Sequence, residues 1–184
     1  DLWTSGRDAP RIMQYADDAD FEFVVKFDSA MGTKNQAQGV LVEGDAQNYL
    51  RFNYLHDGSS YKIQAYTFTA GVPTMKVNNN ITITPPMYLR VKRVGDVWQL
   101  HYSGNGATWS FGAGFTYALD VSAYGVYAGN SNSNPAHVAK VDYFFNTKSP
   151  INPEDPARKL NITTSGSGSV LRSPDKENYA CNEV

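Results

Sequence analysis

Hydrophobic and polar residues alternate along most of the chain, in short runs separated by turn-forming residues. In the segment 21–27, Phe21, Phe23 and Val25 fall on one side of an extended chain and Glu22 falls on the other. This period is typical of strands that bury one face. The same pattern predicts further strands at residues 38–43, 49–56, 61–69, 87–94, 97–103, 123–130 and 138–145. Helical periodicity is scarcely visible, so the pattern predicts an all-β chain.

Strong turn dipeptides stand between several of these runs. Asp57-Gly58, Gly95-Asp96 and Asn105-Gly106 supply the residues that adopt positive φ in tight hairpin loops. Each therefore predicts a β-hairpin. Many short strands joined in this way favour a two-sheet antiparallel sandwich of the jelly-roll kind.

The composition changes after Asn146. Pro150, Pro153 and Pro156 fall within seven residues, and proline denies the backbone the donors that a sheet needs. We expect a β-sandwich domain over residues 1–146 and a proline-rich linker over 147–158. In residues 159–184 a strand, a Gly-Ser turn and a second strand are expected to begin another β-repeat module.

Composition and charge narrow the function classes. Aromatic residues make up 13% of the 184 residues and charged ones only 18%, and the net charge of −2 comes without runs of either sign. A nucleic-acid partner is therefore excluded. No run of about 18 apolar residues occurs, so membrane insertion is not expected. Cys181 is the single cysteine, which excludes an intrachain disulfide and a thiolate zinc site.

Four groups of segments, taken in order, resemble a known family. They are Ala9–Gln14, Gln38–Glu43 with Asn48–Phe52, Leu89–Arg93 with Trp98, and the hairpin Tyr102–Trp109. Together they resemble the concanavalin A-like lectin/glucanase superfamily, especially the C-terminal domain of family 43 β-xylosidases and related bacterial accessory modules. The resemblance covers about residues 9 to 146, and it implies a jelly-roll fold. The tail resembles the start of a bacterial extracellular β-repeat.

The resemblance also raises an expectation about the edge of the sandwich. Such folds normally begin with a further strand that pairs with the closing one, and this chain is expected to begin after that strand. Either the strand has been removed or another element covers the edge beside residues 138–145, because an exposed edge there would promote aggregation. We also expect a secretion signal to lie upstream, with the chain forming part of a longer polypeptide.

Glu43-Gly44-Asp45 invites comparison with the glucanases of this superfamily. Those enzymes carry Glu-x-Asp-x-x-Glu on one strand, and two of its carboxylates serve as nucleophile and acid/base. Here Asn48 replaces the third acid, so the matching position lacks a proton donor. A strand end that turns through Gly44 and Asp45 is the favoured interpretation, and no catalytic residue is assigned.

A structural calcium ion is the one cofactor considered. Asp17, Asp18 and Asp20 offer the hard oxygen ligands that calcium accepts, although a solvated turn is the alternative. The oxygen-rich loop Asn130–Pro135 is a weaker candidate of the same kind. The three histidines fall on separate predicted segments, so they predict no metal triad.

Sugar binding needs flat aromatic faces and planar polar side chains. Strand parity predicts a polar face dotted with aromatic residues, with an ordinary solvated face as the alternative. Its members are Arg51, Asn53, Gln64, Tyr66, Arg90, Gln99 and His101. Trp3 and Arg11, together with Arg7 and Gln14, form a second candidate rim.

The leading hypothesis is a non-catalytic carbohydrate-binding or accessory module of a secreted multidomain protein, located outside the cell or on its surface. Its expected partners are a polysaccharide or oligosaccharide and the neighbouring modules of the same polypeptide. A glycoside hydrolase or polysaccharide lyase with an atypical site is one alternative. A structural adhesin module is another.

Overall fold

A computed structural model of the chain describes residues 2–3, 6–7, 9–130, 135–148 and 176. The chain divides into two units, Asp1–Ser149 and Pro150–Val184. The described part contains strands and no helix, and hence no helix that is long and apolar enough to cross a membrane. Most of the predicted linker and all of the predicted tail module except residue 176 lie outside the described residues.

Two antiparallel sheets form the sandwich, and a short pair, β1 (Leu2–Trp3) and β2 (Gly6–Arg7), precedes them. In spatial order the five-stranded sheet contains β11 (Ser110–Thr116), β10 (Val97–Ser103), β9 (Met87–Val94), β4 (Phe21–Phe27) and β13 (Val141–Asn146). The six-stranded sheet contains β3 (Arg11–Tyr15), β12 (Ala123–Gly129), β5 (Ala37–Glu43), β6 (Tyr49–His56), β7 (Tyr61–Thr69) and β8 (Val72–Ile81). The predicted all-β jelly-roll class is confirmed.

The core lies between the sheets and follows the predicted alternation. Phe23 and Val25 of β4 are fully buried, as are Phe52 of β6 and Trp98 of β10. Burying each such side chain contributes on the order of 2 kcal/mol. The same alternation sends every second residue of each strand to an outward face.

The predicted hairpins are present. β6 and β7 pair across Asp57-Gly58, β9 and β10 across Gly95-Asp96, and β10 and β11 across the turn that contains Asn105-Gly106. The glycine of each dipeptide has a positive φ, which is the reason that the turn chemistry predicts them. Another hairpin, β7–β8, turns through Ala70-Gly71, where both residues have positive φ.

The hydrophobic alternation did not predict three of the strands, because they lie at sheet edges. β3, β8 and β11 each end a sheet, and only Val77 of β8 and Ala113 of β11 are buried among their residues. An edge strand exposed on both faces has no reason to alternate. Pro73 in β8 argued against a strand there, yet proline is tolerated at an edge.

β13 closes the five-stranded sheet at the other end. Within the described residues it pairs with β4 alone, so the further strand expected beside it is absent from that part of the chain. Tyr143 and Phe145 point outward from β13, with their ring centroids 5.0 Å apart.

Arg93 fastens one end of the sandwich. It is buried, and it donates from Nε to the carbonyl of Gly95 at 2.9 Å and from Nη2 to the carbonyl of Leu119 at 3.0 Å. Its Nη1 pairs with the carboxylate of Asp18, and its guanidinium lies 5.4 Å from the ring centroid of Trp98. One side chain thus ties the β9–β10 turn to the segments before β4 and β12.

Candidate functional site

The predicted polar face divides between the two sheets. Arg51, Asn53, Gln64 and Tyr66 lie together on β6 and β7 of the six-stranded sheet, whereas Arg90, Gln99 and His101 lie together on β9 and β10 of the five-stranded sheet. The expectation of a single face is therefore wrong. Parity decides to which side of its own sheet a residue points, but it does not decide which sheet a strand joins.

The outward face of the six-stranded sheet bonds to itself. Asn53 Nδ2 donates to Gln64 Oε1 at 3.1 Å, and Gln64 Nε2 donates to Asn78 Oδ1 at 2.9 Å. Asn53 is 0% exposed and Gln64 is 5% exposed. A ligand would have to displace bonds that these amides already make, and it would have to reach groups that solvent does not reach.

Arg51 of the same face lies among aromatic rings. Its guanidinium carbon is 5.0 Å from the ring centroid of Tyr66 and 5.9 Å from that of Phe68. Tyr49 stacks on Phe68 with centroids 4.1 Å apart. Burial raises the pKa of the neighbouring Tyr127 to about 12. This region is a second apolar cluster with one cation built into it.

The outward face of the five-stranded sheet carries a different arrangement, which we call the platform. It consists of the side chains Tyr88, Arg90, Lys92, Gln99, His101, Trp109 and Phe111. In β-sheet register, Phe111 lies opposite His101, and His101 lies opposite Arg90. Gln99 lies opposite Lys92 in the next row. All of the platform side chains are at least partly exposed.

A β-bulge sets the direction of Phe111. Leu100 pairs with Ala113 and His101 pairs with Phe111, so Gly112 is the extra residue of β11. In a regular ladder without the bulge, Gly112 would lie opposite His101, and the side chain of Phe111 would point to the inward side of the sheet. A bulge redirects side chains in this way, and here it leaves Phe111 62% exposed beside His101, with ring centroids 5.5 Å apart.

Trp109 covers the other side of the platform. It follows the Asn105-Gly106 turn and precedes Phe111 by two positions, so both rings share the outward side. The guanidinium carbon of Arg90 lies 4.5 Å from the ring centroid of Trp109, close enough for a cation–π contact. Tyr88 meets Trp109 edge to face, with centroids 6.5 Å apart. The guanidinium of Arg90 thus lies over the ring of Trp109.

The polar side chains of the platform have unused hydrogen-bonding capacity. Arg90, Lys92, Gln99 and His101 make no side-chain hydrogen bond or ion pair within the described part of the chain. Arg90 Nε and His101 Nδ1 are moreover buried without a hydrogen-bond partner. Asn53 Oδ1 of the six-stranded sheet is buried without a partner as well, so what favours a ligand on the platform is that its unengaged polar side chains are partly exposed.

Electrostatics keep the imidazole of His101 neutral. Burial lowers its pKa below the usual 6.5, and the positive charges of Arg90 and Lys92 lower it further, while Glu22 opposes them. A neutral imidazole has one nitrogen that donates and one that accepts. At neutral pH the platform therefore presents one fixed cation, one lysine, an amide and an uncharged ring.

Four platform residues were not among the predicted site residues: Tyr88, Lys92, Trp109 and Phe111. Trp109 did belong to the hairpin motif Tyr102–Trp109, but its ring reaches Tyr88 and Arg90 of β9 across β10, which the motif does not indicate. Phe111 could not be placed in this way, because the bulge at Gly112 breaks the period. Lys92 shares the parity of Arg90 and could have been included.

The second predicted rim remains a prediction. Trp3 lies in β1 and Arg7 in β2, and their side chains lie outside the described part. Arg11 lies on β3, where its Nε is 3.9 Å from Glu43 Oε1. Gln14 lies on β3 with opposite parity from Arg11.

Glu43-Gly44-Asp45 forms a capped turn. Asp45 Oδ1 accepts hydrogen bonds from the backbone N–H of Gln47 at 2.7 Å and of Asn48 at 2.8 Å, and its Oδ2 accepts from Asn48 Nδ2 at 2.8 Å. Glu43 lies near Arg11. These contacts are those of a strand end with an Asx turn, the interpretation that the sequence favoured.

Two of the three acidic residues considered for calcium, Asp18 and Asp20, have protein partners. Asp18 accepts from the backbone N–H of Val121 and pairs with Arg93, and both contacts lower its pKa. Asp20 Oδ1 accepts from the backbone N–H of Gly95 at 2.7 Å. Within the described part, no three acidic, histidine or cysteine residues converge as a metal site. A calcium site at Asp17, Asp18 and Asp20 stays a prediction, which a chelator's effect on thermal unfolding would test.

Comparison with known proteins identifies the fold class. No protein-family model matches the chain, and no curated protein is similar enough to match it. Among solved structures, the GH43 protein BlXynB from Bacillus licheniformis aligns with a TM-score of 0.61 at 16% identity, over 74% of this chain and 32% of its own. The xylan β-1,4-xylosidase from Bacillus halodurans C-125 aligns with a TM-score of 0.63 at 14% identity, over 78% and 30%.

A bifunctional GH43-CE protein from Bacteroides eggerthii aligns with a TM-score of 0.61 at 12% identity, over 77% of this chain and 19% of its own. The chain thus spans a third or less of each of these proteins. The likeness shows that the chain shares a β-sandwich fold with part of each of these GH43 proteins. The fold expected from the sequence resemblance is confirmed.

Proposed function

We propose that the chain is a carbohydrate-binding or accessory module of a secreted multidomain protein, and that it binds polysaccharide on the platform. The observation that carries this proposal is the set of unengaged polar side chains between Trp109 and Phe111. Pyranose rings stack on aromatic faces, and planar amides and guanidinium groups bond to pairs of hydroxyls. A β-sandwich whose structural neighbours are carbohydrate-active enzymes is a suitable scaffold for such a surface.

The two outward faces favour the platform as the binding surface. On the six-stranded sheet, the amides of Asn53 and Gln64 bond to each other and are buried. On the five-stranded sheet, Gln99 and Arg90 are partly exposed and have no hydrogen-bonding partner in the described chain. Binding on the platform therefore requires no existing hydrogen bond to break.

Affinity electrophoresis in gels containing plant, algal or microbial polysaccharides tests the proposal. We expect one or more polysaccharides to retard the wild-type chain, and Trp109→Ala and Phe111→Ala each to reduce the retardation about fivefold, since stacking contributes on the order of 1 kcal/mol per ring. Tyr15→Ala is the matched control, because Tyr15 is an aromatic residue on β3 of the other sheet and is 98% exposed. Failure of every polysaccharide to retard the protein would refute binding.

The enzymatic alternative can be tested on the same samples. A glycoside hydrolase would release reducing ends and a polysaccharide lyase would release unsaturated products. If either appears, Glu43→Gln separates a role for that carboxylate from activity located elsewhere. Binding that persists unchanged in Trp109→Ala would indicate a surface other than the platform, as an adhesin module could use.

A further inference from the structure

We infer that the platform selects acidic sugars, with the carboxylate of a uronate residue bound between Arg90 and His101 and the pyranose ring resting on Trp109 or Phe111. This inference rests on the proposed function and specifies its substrate class. The juxtaposition that carries it is a guanidinium and an imidazole on directly opposed strand positions, both partly exposed and both without a side-chain hydrogen bond or ion pair in the described part of the chain.

Arg90 is prepared for a carboxylate by its surroundings. Its guanidinium stacks on Trp109, and no carboxylate of the described chain lies within ion-pairing distance of it. Arginine binds carboxylates through two parallel hydrogen bonds, and stacking fixes the plane of the group before the ligand arrives. A neutral sugar would leave this cation without a counter-charge, whereas a uronate provides one.

The other charges on the face determine how far the positive region extends. Lys92 follows Arg90 by two positions on the same side of β9 and lies opposite Gln99 on one strand and Glu22 on the other. Lys26, in the adjacent row, is neutralised by Asp142 at 2.6 Å and by Asp28 at 3.8 Å. Arg90 and Lys92 are therefore the platform cations without an ion-pair partner in the described chain, and Arg90 is the one that lies beside His101.

His101 gives the site a dependence on pH. Arg90 and Lys92 face it from β9, Glu22 faces it from β4, and β11 contributes no titratable side chain. A bound carboxylate adds a negative charge beside the ring, which favours the protonated form. The complex then takes up a proton that the unbound protein does not, so binding tightens as the pH falls through the range in which His101 titrates.

Affinity electrophoresis on three polymers provides the test: polygalacturonate, its fully methyl-esterified form, and polyglutamate. The ester keeps the sugar and removes the charge, whereas polyglutamate keeps the charge and removes the sugar. We expect strong retardation by polygalacturonate and at least about tenfold weaker retardation by each of the others. Arg90→Gln should lose at least about tenfold on polygalacturonate, and Arg90→Lys should recover little of that loss because lysine lacks the planar fork.

Lys76→Gln is the matched control, since it removes one positive charge from β8 of the other sheet and leaves the platform intact. In the wild type, retardation by polygalacturonate should increase several-fold between about pH 7 and about pH 5, where a carboxyl group with a pKa of about 4 remains ionised. In His101→Gln this increase should disappear. The thermal unfolding of each variant shows whether it remains folded.

The outcomes separate the two proposals. Equal retardation by polygalacturonate and its ester, or by a neutral polysaccharide alone, would overturn acidic selectivity and leave carbohydrate binding standing. Equal retardation by polyglutamate, or an equal loss in Lys76→Gln, would mean a general attraction for polyanions and would overturn the inference. Absence of retardation on all of these polymers and on neutral polysaccharides would overturn both proposals.

Discussion

The guanidinium of Arg93 pairs with the carboxylate of Asp18, which lies 75 positions earlier in the chain. The same guanidinium group also donates to the carbonyls of Gly95 and Leu119. Each of its three nitrogens therefore donates within the protein, in contrast to those of Arg90, which lies three positions earlier and has the opposite parity. One arginine of β9 holds the fold together, and the other is exposed to a ligand.

Arg93→Met is expected to destabilise the protein by roughly 2 kcal/mol, because the carbonyls of Gly95 and Leu119 lose their donor while the aliphatic part of the side chain is kept. Urea unfolding followed by tryptophan fluorescence measures the change. Arg90→Met is the matched control and should alter stability by less than about 0.5 kcal/mol. Equal losses in both variants would contradict the division of roles between the two arginines.

Acid should weaken the same anchor. The pKa of Asp18 in the folded chain is lowered by the N–H of Val121 and by Arg93. A carboxylate with a depressed pKa stabilises the fold above its ordinary pKa of about 4, and this contribution is lost as the pH falls below that value. Asp18→Asn should therefore flatten the acid branch of the curve of stability against pH. An unchanged acid branch in this variant would show that the ion pair contributes nothing.

Two histidines should weaken the fold at a higher pH. Burial lowers the pKa of both His101 and His137 below 6.5, so the unfolded chain takes up their protons before the folded chain does. Stability present above about pH 6.5 is then lost as the pH falls toward the folded values. The urea midpoint should fall between about pH 7 and about pH 5, and it should fall less in His101→Gln combined with His137→Gln. A midpoint that rises over this interval would contradict the prediction.

Gly39 has no room for a side chain. A Cβ at this position would lie 2.2 Å from the carbonyl oxygen of Phe52 and 2.5 Å from the Cβ of Asn53, so the backbone of β5 or β6 would have to move. Gly39→Ala should cost about 2 kcal/mol or more. Gly32→Ala is the control, since nothing lies within 4 Å of a Cβ there. Thermal unfolding compares the two variants, and a Gly39→Ala variant as stable as wild type would show that the strands can separate at little cost.

Ala70 occupies a conformation that suits asparagine. Its φ is 50°, and with Gly71 at 76° it forms the two-residue turn between β7 and β8. Asparagine followed by glycine is strongly preferred in such turns. Ala70→Asn should therefore stabilise the protein by about 0.5 to 1 kcal/mol, whereas Gly71→Ala should destabilise it by a similar amount. Denaturant midpoints measure both, and a loss of stability in Ala70→Asn would contradict the turn assignment.

Much of the fold could be predicted from the sequence because buried strands alternate and glycine turns join them. Phe23 and Val25 of β4 follow this rule. The sequence at Ala70 does not predict a hairpin, because alanine is not a typical turn residue and the following strand, β8, is an exposed edge strand. Local sequence patterns therefore do not predict edge strands, or turns whose conformation is imposed by tertiary contacts.

The candidate site was predictable in part. Arg90, Gln99 and His101 were correctly grouped on neighbouring strands, since a tight turn at Gly95 fixes their register. Arg51 was placed beside them although it lies on the other sheet, and no local signal distinguishes the sheets. Phe111 was missed because the bulge changes parity within a strand.

The bulge at Gly112 also bears on how such a module diversifies. Removing or adding one residue in β11 would exchange the inward and outward side chains over part of the strand, without altering any residue that remains. Related modules with identical aromatic residues could thus differ in what they bind because of a one-residue difference in strand length. In a comparison of relatives, a gap at position 112 would therefore be as informative as a substitution of Phe111 itself.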